Sequence, residues 1–254
     1  MNVTIIGSGN MGSALAKHLA KDYSLTLCNR NKEKGQKVAK EVGARFLESP
    51  QEAVKEADWV ILAIKPKDLH DFGSQVSLTK NQILLSVLGG VSLDSLKQTF
   101  SKSCVVRMMP NTAVTTGKGI MGLAEDGMLD VEKKQEIEKM FSGIGHLFWI
   151  PDSKMNAFAA FAASSPAFGF VIMEAMMESG IALGFSAIES RQITTAVFEG
   201  CVALLQASPK HPAELKLQIA SPGGTTIAGL YALEAGGVRK AIFDAMFATY
   251  NKGH

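Results

Sequence analysis

The chain has 254 residues, of which 46% are hydrophobic and 20% charged, and its formal net charge is +2. That composition excludes a disordered chain and leaves room for one large domain or two ordinary ones. With so balanced a charge and no Lys/Arg-rich block, nothing asks for a nucleic-acid partner.

The first 150 residues alternate in character. "NVTIIG" is a short β-branched strand ending at Gly7, and a helix follows with Met11, Leu15 and Leu19 at spacing four. "SLTLCNR" is a second strand and Lys32 to Val42 a charged helix. "SPQE" at 49–52 has a Ser N-cap, Pro at the first helical position and Glu three after the cap, a capping-box start. "WVILAIKP", "ILLSVLGG" and "CVVRMMPN" are fully apolar strands. Two more strands are expected near Gly119–Ala124 and His146–Ile150, with a helix around Val131–Phe141 between them. Apolar strands separated by amphipathic helices imply a parallel sheet covered on both faces.

After Pro151 the pattern is helical to the end, with breaks expected at Gly180, Gly184, Pro209, Pro212 and Gly236–Gly237, and a capping-box start at Ser186–Glu189. Met155 to Met173 carries no charge. Its Ala-rich sequence with Pro166 and Gly169 inside is expected to be a helix buried in protein rather than a membrane span. Several helices are apolar on more than one side, which asks for a second copy of the chain as cover. The boundary is placed near residue 150, giving a dinucleotide-binding half (1–150) and a helical half (151–254). The three cysteines, Cys28, Cys104 and Cys201, match no metal or disulfide spacing and are expected to be buried. This fits a reducing compartment, the cytoplasm. No signal peptide is expected, because a strand begins almost at once.

Gly7-Ser8-Gly9-Asn10-Met11-Gly12 has G-x-G-x-x-G spacing directly after the first strand and at the opening of a helix. Gly7 permits a tight turn, Gly9 lets backbone approach a pyrophosphate, and Gly12 lets helix pack on strand. The helix N-terminus offers free N–H groups to the phosphates. At the end of the second strand, Asn29-Arg30-Asn31 stands where an NAD site would carry Asp or Glu. Arg30 can pair with a 2′-phosphate, so NADPH is expected in preference to NADH, with NADH still usable. Ala63-Ile64-Lys65-Pro66 ends another strand, which puts Lys65 near the cofactor. Gly89 and Gly90 allow close backbone approach at a further strand end. Asn111 and Thr112 are placed for polar contact in the cleft, and Arg107 is either a cleft residue or structural.

The helical half offers no His/Asp pair, metal cluster or Ser/His/Asp arrangement. "SPGGTT" at 221–226 is its candidate site. Pro222 stiffens a helix start. Gly223 and Gly224 expose backbone N–H groups, and Thr225 and Thr226 add hydroxyls in the first turn. Such a terminus can take a carboxylate without an arginine, and a neighbouring hydroxyl can bond a substrate nitrogen. The stretch suits a small amino or imino acid.

"IIGSGNMG", "AIKP", "RMMPNT" and "SPGGTTIAGLYALE", in this order, resemble the pyrroline-5-carboxylate reductase family over nearly the whole chain. The resemblance implies a Rossmann domain followed by an all-helical dimerisation domain of the 6-phosphogluconate dehydrogenase C-terminal type. It also implies NAD(P)H-dependent reduction of Δ1-pyrroline-5-carboxylate to L-proline, and homodimers that often assemble into decamers, as pentamers of dimers. By position, Thr226 matches the threonine on the substrate ring nitrogen, while Ser221, Gly224 and Thr225 match the carboxylate site. Lys65 and Pro66 match the strand-end motif near the nicotinamide, and Asn29 and Arg30 the phosphate-binding pair. The run Ala162-Ala163-Ser164-Ser165-Pro166-Ala167-Phe168 departs from a family pattern with glycines before the Ser and the Pro, and the added bulk would narrow or shift specificity. Two rival readings stay open. One is a β-hydroxyacid-type dehydrogenase, for which Lys154 and Asn156 are spaced two apart rather than one helical turn. The other is a non-catalytic NADPH-binding regulator.

Overall fold

The computed structural model describes residues 1–253 and separates into two compact units, 1–163 with Gly253, and 164–252. In the first unit the strands are β1 (Asn2–Ile6), β2 (Ser24–Cys28), β3 (Arg45–Phe46), β4 (Trp59–Leu62), β5 (Ile83–Ser86), β6 (Cys104–Pro110), β7 (Gly119–Glu125) and β8 (Gly145–Trp149). Its helices are α1 (Asn10–Leu19), α2 (Lys32–Val42), α3 (Pro50–Val54), α4 (Leu69–Gln75), α5 (Leu93–Thr99), α6 (Val131–Phe141) and α7 (Met155–Phe158). One sheet runs β3-β2-β1-β4-β5-β6-β7-β8. The order reverses between β1 and β4, the place where open α/β sheets bind ligands.

Side chains alternate across the sheet, as the two-residue period of a strand requires. Ile5, Trp59, Ile61 and Leu85 join Leu15 and Leu19 of α1, Val38 of α2 and Phe141 of α6 on one face. Ile6, Val60, Leu62 and Leu84 join Val54 of α3, Phe72 of α4 and Leu96 of α5 on the other. Cys28 is buried in this second layer, and burial pushes its thiol up to about 11.

Two details of the sheet differ from the sequence reading. The two-residue strand β3 was not foreseen, and β6 and β7 are antiparallel. Only 111–118 join them, too few residues for a crossover helix. The unit closes beyond Pro151 because Met155, Phe158, Ala159 and Ala163 pack with Met109 and Ala124. Gly122 makes room for this, since a Cβ there would lie 2.8 Å from the Phe158 ring. A π-helical turn, Ala159–Ser164, follows.

The second unit holds α8 (Ser165–Ala182), α9 (Ala187–Gln206), α10 (Pro212–Ile219), α11 (Thr225–Ala235) and α12 (Val238–Lys252). The capping box at Ser186–Glu189 forms, and His211 with Glu214 makes another at the start of α10. Gly180 does not break its helix. It lies inside α8, where a Cβ would stand 2.7 Å from Ser190 Oγ of α9, so its role is close helix packing. The break falls at Gly184, whose φ of 101° suits glycine.

Of the apolar stretch Met155–Met173, Met155, Ala160 and Ala162 are buried within the single chain, and the α8 part is not. Asp152–Ala182 is long and apolar enough to cross a membrane by length and composition, and α8 has no buried residue within the single chain. Phe170, Val171, Leu183 and Tyr231 are all more than 60% exposed. Cys201, expected to be buried, is exposed on α9.

Candidate functional site

The glycine loop is built into the sheet. Gly7 has φ of 100°, and a Cβ on it would stand 2.5 Å from the Ala63 carbonyl oxygen at the end of β4. Its N–H donates to the Cys28 carbonyl at 2.8 Å. A Cβ on Gly12 would meet the Gly7 carbonyl at 2.0 Å and the Ala63 methyl at 3.2 Å. These two glycines therefore let β1, β4 and α1 converge at the switch point. Gly9 is different. It caps α1 with extended backbone and no side-chain bond, and nothing lies within 4 Å of where its Cβ would be. Ser8 is 2% exposed, and its Oγ has no hydrogen-bond partner among the described residues. Asn10 and Met11 complete the first turn. Uncapped helix N–H groups, open space and an orphaned hydroxyl fit the pyrophosphate of a dinucleotide.

The neighbouring strand end braces this loop. Asn29 Oδ1 accepts from the Ser8 N–H at 2.9 Å, and Asn29 Nδ2 donates to the Asn31 carbonyl at 2.8 Å. The Asn29 amide thus fixes the loop rather than standing free. Arg30 is 86% exposed and touches Asp68 through one contact, Nη1 to Oδ1 at 3.4 Å. Lys65 and Pro66 are exposed at the end of β4, next to Ala63. Gly90 has φ of 74° with open space around it.

In the second unit, "SPGGTT" forms a tight turn into α11. The Gly224 N–H donates to the Ser221 carbonyl at 3.0 Å, and Gly223 has φ of 70°. The helix starts at Thr225, so Pro222 stiffens the preceding turn and not the helix itself. Gly224 caps α11 with extended backbone and no side-chain bond. A Cβ on Gly224 would stand 2.5 Å from Ser221 Oγ, so the serine hydroxyl overlies the start of the helix. Thr225 and Thr226 occupy the first turn, exposed. The turn can receive an anion through N–H groups and a hydroxyl without any basic side chain.

Comparison with known proteins bears on both halves. Residues 152–254 match the family described as pyrroline-5-carboxylate reductase dimerisation, and residues 2–90 match the family described as NADP oxidoreductase coenzyme F420-dependent. The pyrroline-5-carboxylate reductase of Aquifex aeolicus is 33% identical, over 99% of this chain and 96% of its own. That of Corynebacterium melassecola is 30% identical, over 96% and 94%. The chain belongs to the pyrroline-5-carboxylate reductase family. A crystal structure of the Streptococcus pyogenes member superposes with a TM-score of 0.93 at 27% identity, covering 100% of this chain and 98% of that one.

Within this reductase scaffold, Asn111, expected as a cleft contact, and Arg107, expected as a cleft or a structural residue, both make hydrogen bonds within the first unit. Asn111 Oδ1 accepts from the Ala113 and Ile120 N–H groups, each at 3.2 Å, and Nδ2 donates to the Ala162 carbonyl at 3.2 Å. That carbonyl lies four residues before Pro166, which has no N–H to offer it. Arg107 is 2% exposed, with Nη1 on Asp152 Oδ1 at 2.9 Å and Nη2 on Asn156 Oδ1 at 3.0 Å. Its partners lie more than 40 residues away in the chain and carry no local signal. The Arg30–Asp68 contact was missed for the same reason, 38 residues separating the pair.

Proposed function

We propose that this chain reduces Δ1-pyrroline-5-carboxylate to L-proline with NADPH, the last step of proline synthesis, with NADH as a poorer donor. The observation that carries the reading is the pair of glycine-capped, side-chain-free helix N-termini, one at Gly9 and one at Gly224. The first suits a pyrophosphate and the second a carboxylate, the two anionic groups that the reaction brings together. Membership of the reductase family over the full length supports the same assignment.

NADPH, when bound, would supply the hydride for the imine carbon, and the C=N electron pair would be taken up at nitrogen with a proton from solvent. The rest is positioning by this chain. Gly7, Gly9 and Gly12, with Ser8, Asn10 and Met11, hold the dinucleotide phosphates, and Arg30 pairs with the 2′-phosphate. Asn29 keeps the loop in place. Ala63, Lys65 and Pro66 shape the strand end beside the nicotinamide. Ser221 Oγ and the N–H groups of Gly223 and Thr225 hold the substrate carboxylate, the Gly224 N–H closes the turn onto the Ser221 carbonyl, and the Thr226 hydroxyl bonds the ring nitrogen. An imine is already electrophilic, so no histidine acid is required. His18 and His211 instead serve the fold, at Met140 and at the start of α10.

The functional division follows the same lines: 1–150 for the cofactor, 151–254 for substrate and self-association. The dimerisation family match and the exposed apolar residues of α8, α9, α11 and α12 support a homodimer formed through these helices, and we propose that it assembles further as a pentamer of dimers. The unpaired cysteines fit the cytoplasm, and a second copy, rather than a membrane, covers α8. The rival β-hydroxyacid reading loses its asparagine, because Asn156 is bonded to Arg107.

The assay is loss of NADPH absorbance on adding pyrroline-5-carboxylate, with proline measured as product. Rapid loss with stoichiometric proline is expected. NADPH binding without turnover would refute the substrate assignment while leaving the cofactor half standing.

A further inference from the structure

Asp68 follows β4, Arg30 follows β2, and the side chains meet across the end of β1. The contact is single and long, Nη1 to Oδ1 at 3.4 Å, with the guanidinium 86% and the carboxylate 26% exposed. Bidentate recognition of a phosphate uses a guanidinium edge with two parallel N–H donors. Asp68 already draws on one nitrogen of that fork. Its carboxylate does nothing visible for the fold. Asp68 stands at the N-cap of α4, yet its side chain makes no capping bond.

We propose that Asp68 is a cofactor-specificity residue, whose carboxylate competes with the 2′-phosphate of NADPH for the Arg30 guanidinium. Arg30 alone would favour NADPH strongly. Asp68 lowers that preference, because the arriving phosphate must displace one carboxylate from the fork and then sit close to it. NADH brings no 2′-phosphate and is spared both costs. The chain therefore discriminates between the two cofactors less sharply than its Arg30 would dictate.

The inference rests on the reading of Arg30 as the 2′-phosphate partner, and the test separates the two. Binding of adenosine 2′,5′-bisphosphate and of 5′-AMP is measured by calorimetry on the full-length protein, for wild type, Asp68→Asn, Arg30→Ala and the double variant. Asp68→Asn is expected to tighten the bisphosphate about threefold to tenfold, while 5′-AMP stays within about twofold. The gain should shrink as salt rises, since the groups are exposed, and should vanish in the Arg30→Ala background. Asn keeps the shape of Asp and removes no capping bond, so an unchanged melting temperature is expected. Bisphosphate affinity that is unchanged or weaker in Asp68→Asn would overturn the proposal, a loss meaning that Asp68 orients Arg30 for the phosphate. A gain that persists without Arg30 would also overturn it, as repulsion of the phosphate independent of the arginine. If Arg30→Ala leaves the bisphosphate-to-AMP ratio untouched, the fault lies in the reading of Arg30 itself.

Discussion

The two glycine-capped helix starts use the same device in opposite surroundings. At Gly9 the loop is locked by the core, with Gly7 pressed on Ala63, Gly12 pressed on Gly7, and Asn29 bonded to Ser8. At Gly224 the turn is held by its own atoms, through the bond from the Gly224 N–H to Ser221 and the serine hydroxyl lying over the glycine. Ser221, Thr225 and Thr226 are all exposed in the single chain. The first cradle is thus preorganised by one chain. The second is set by local backbone geometry in a unit whose buried residues, Ser190, Thr194 and Ala220, lie outside the turn. Anion sites made of backbone need rigid support, and only the first obtains it from this chain's own core.

Chemistry should fail at one cradle without disturbing the other, and Thr226 gives the largest expected effect. Thr226→Ala removes a hydroxyl from the first turn of α11. Its kcat/KM for pyrroline-5-carboxylate should fall about a hundredfold, the usual cost of one donor on the reacting group. NADPH affinity should stay within about twofold, and Thr226→Ser should recover most of the activity. Equal losses in turnover and NADPH affinity would remove Thr226 from the ring-nitrogen role.

Within the first cradle, two glycine variants sharpen the distinction between support and contact. A Cβ at Gly12 strikes backbone at 2.0 Å, so Gly12→Ala should cost about 1–3 kcal/mol of stability. The melting temperature would fall by several degrees, at about 2–4 °C per kcal/mol for a chain this long. Gly9→Ala meets no atom within 4 Å, so its melting temperature should be unchanged. Its methyl occupies the path of the phosphates to the backbone, and NADPH should bind about tenfold more weakly, about 1.4 kcal/mol. A destabilised Gly9→Ala with normal NADPH affinity would reverse the two roles.

The contrast between the units also explains what could be read from the sequence. Lys32–Val42 and Val131–Phe141 are helices over the expected residues because their ends carry local signals. Asn31 and Asp130 cap by accepting from the backbone, and Gly43 closes α2 at φ 69°. The G-x-G-x-x-G loop is legible for the same reason, since each glycine answers a constraint within the strand–turn–helix or at one strand end. α8 is uncovered within the single chain because apolar sequence specifies the need for cover and not its source. The same limit applies to Cys201 on α9. Gly180 was read as a breaker because a glycine that admits a neighbouring helix looks, in sequence, like one that ends its own. The bonds of Arg107 to Asp152, of Asn111 to Ala162 and of Arg30 to Asp68 join residues 38 to 51 positions apart, where neither periodicity nor capping carries information.

Asn111 supplies an effect of similar size to that at Gly9, and the one that tests how the first unit is closed. Its amide satisfies two N–H groups of the β6–β7 connection and the carbonyl that Pro166 leaves without a helical donor. Asn111→Ala would strip all three, and an unsatisfied buried group costs about 1–3 kcal/mol. Water reaching the site offsets part of this, so a net loss of about 1–2 kcal/mol is expected. Asn111→Asp keeps the acceptor for Ala113 and Ile120 but sets a carboxylate oxygen against the Ala162 carbonyl. On denaturant unfolding it should therefore be no more stable than the alanine variant, despite its closer shape. If Asn111→Asp proved as stable as wild type, the bond to Ala162 would carry no weight. The π-helical turn would then owe its position to the packing of Met155 and Phe158 alone.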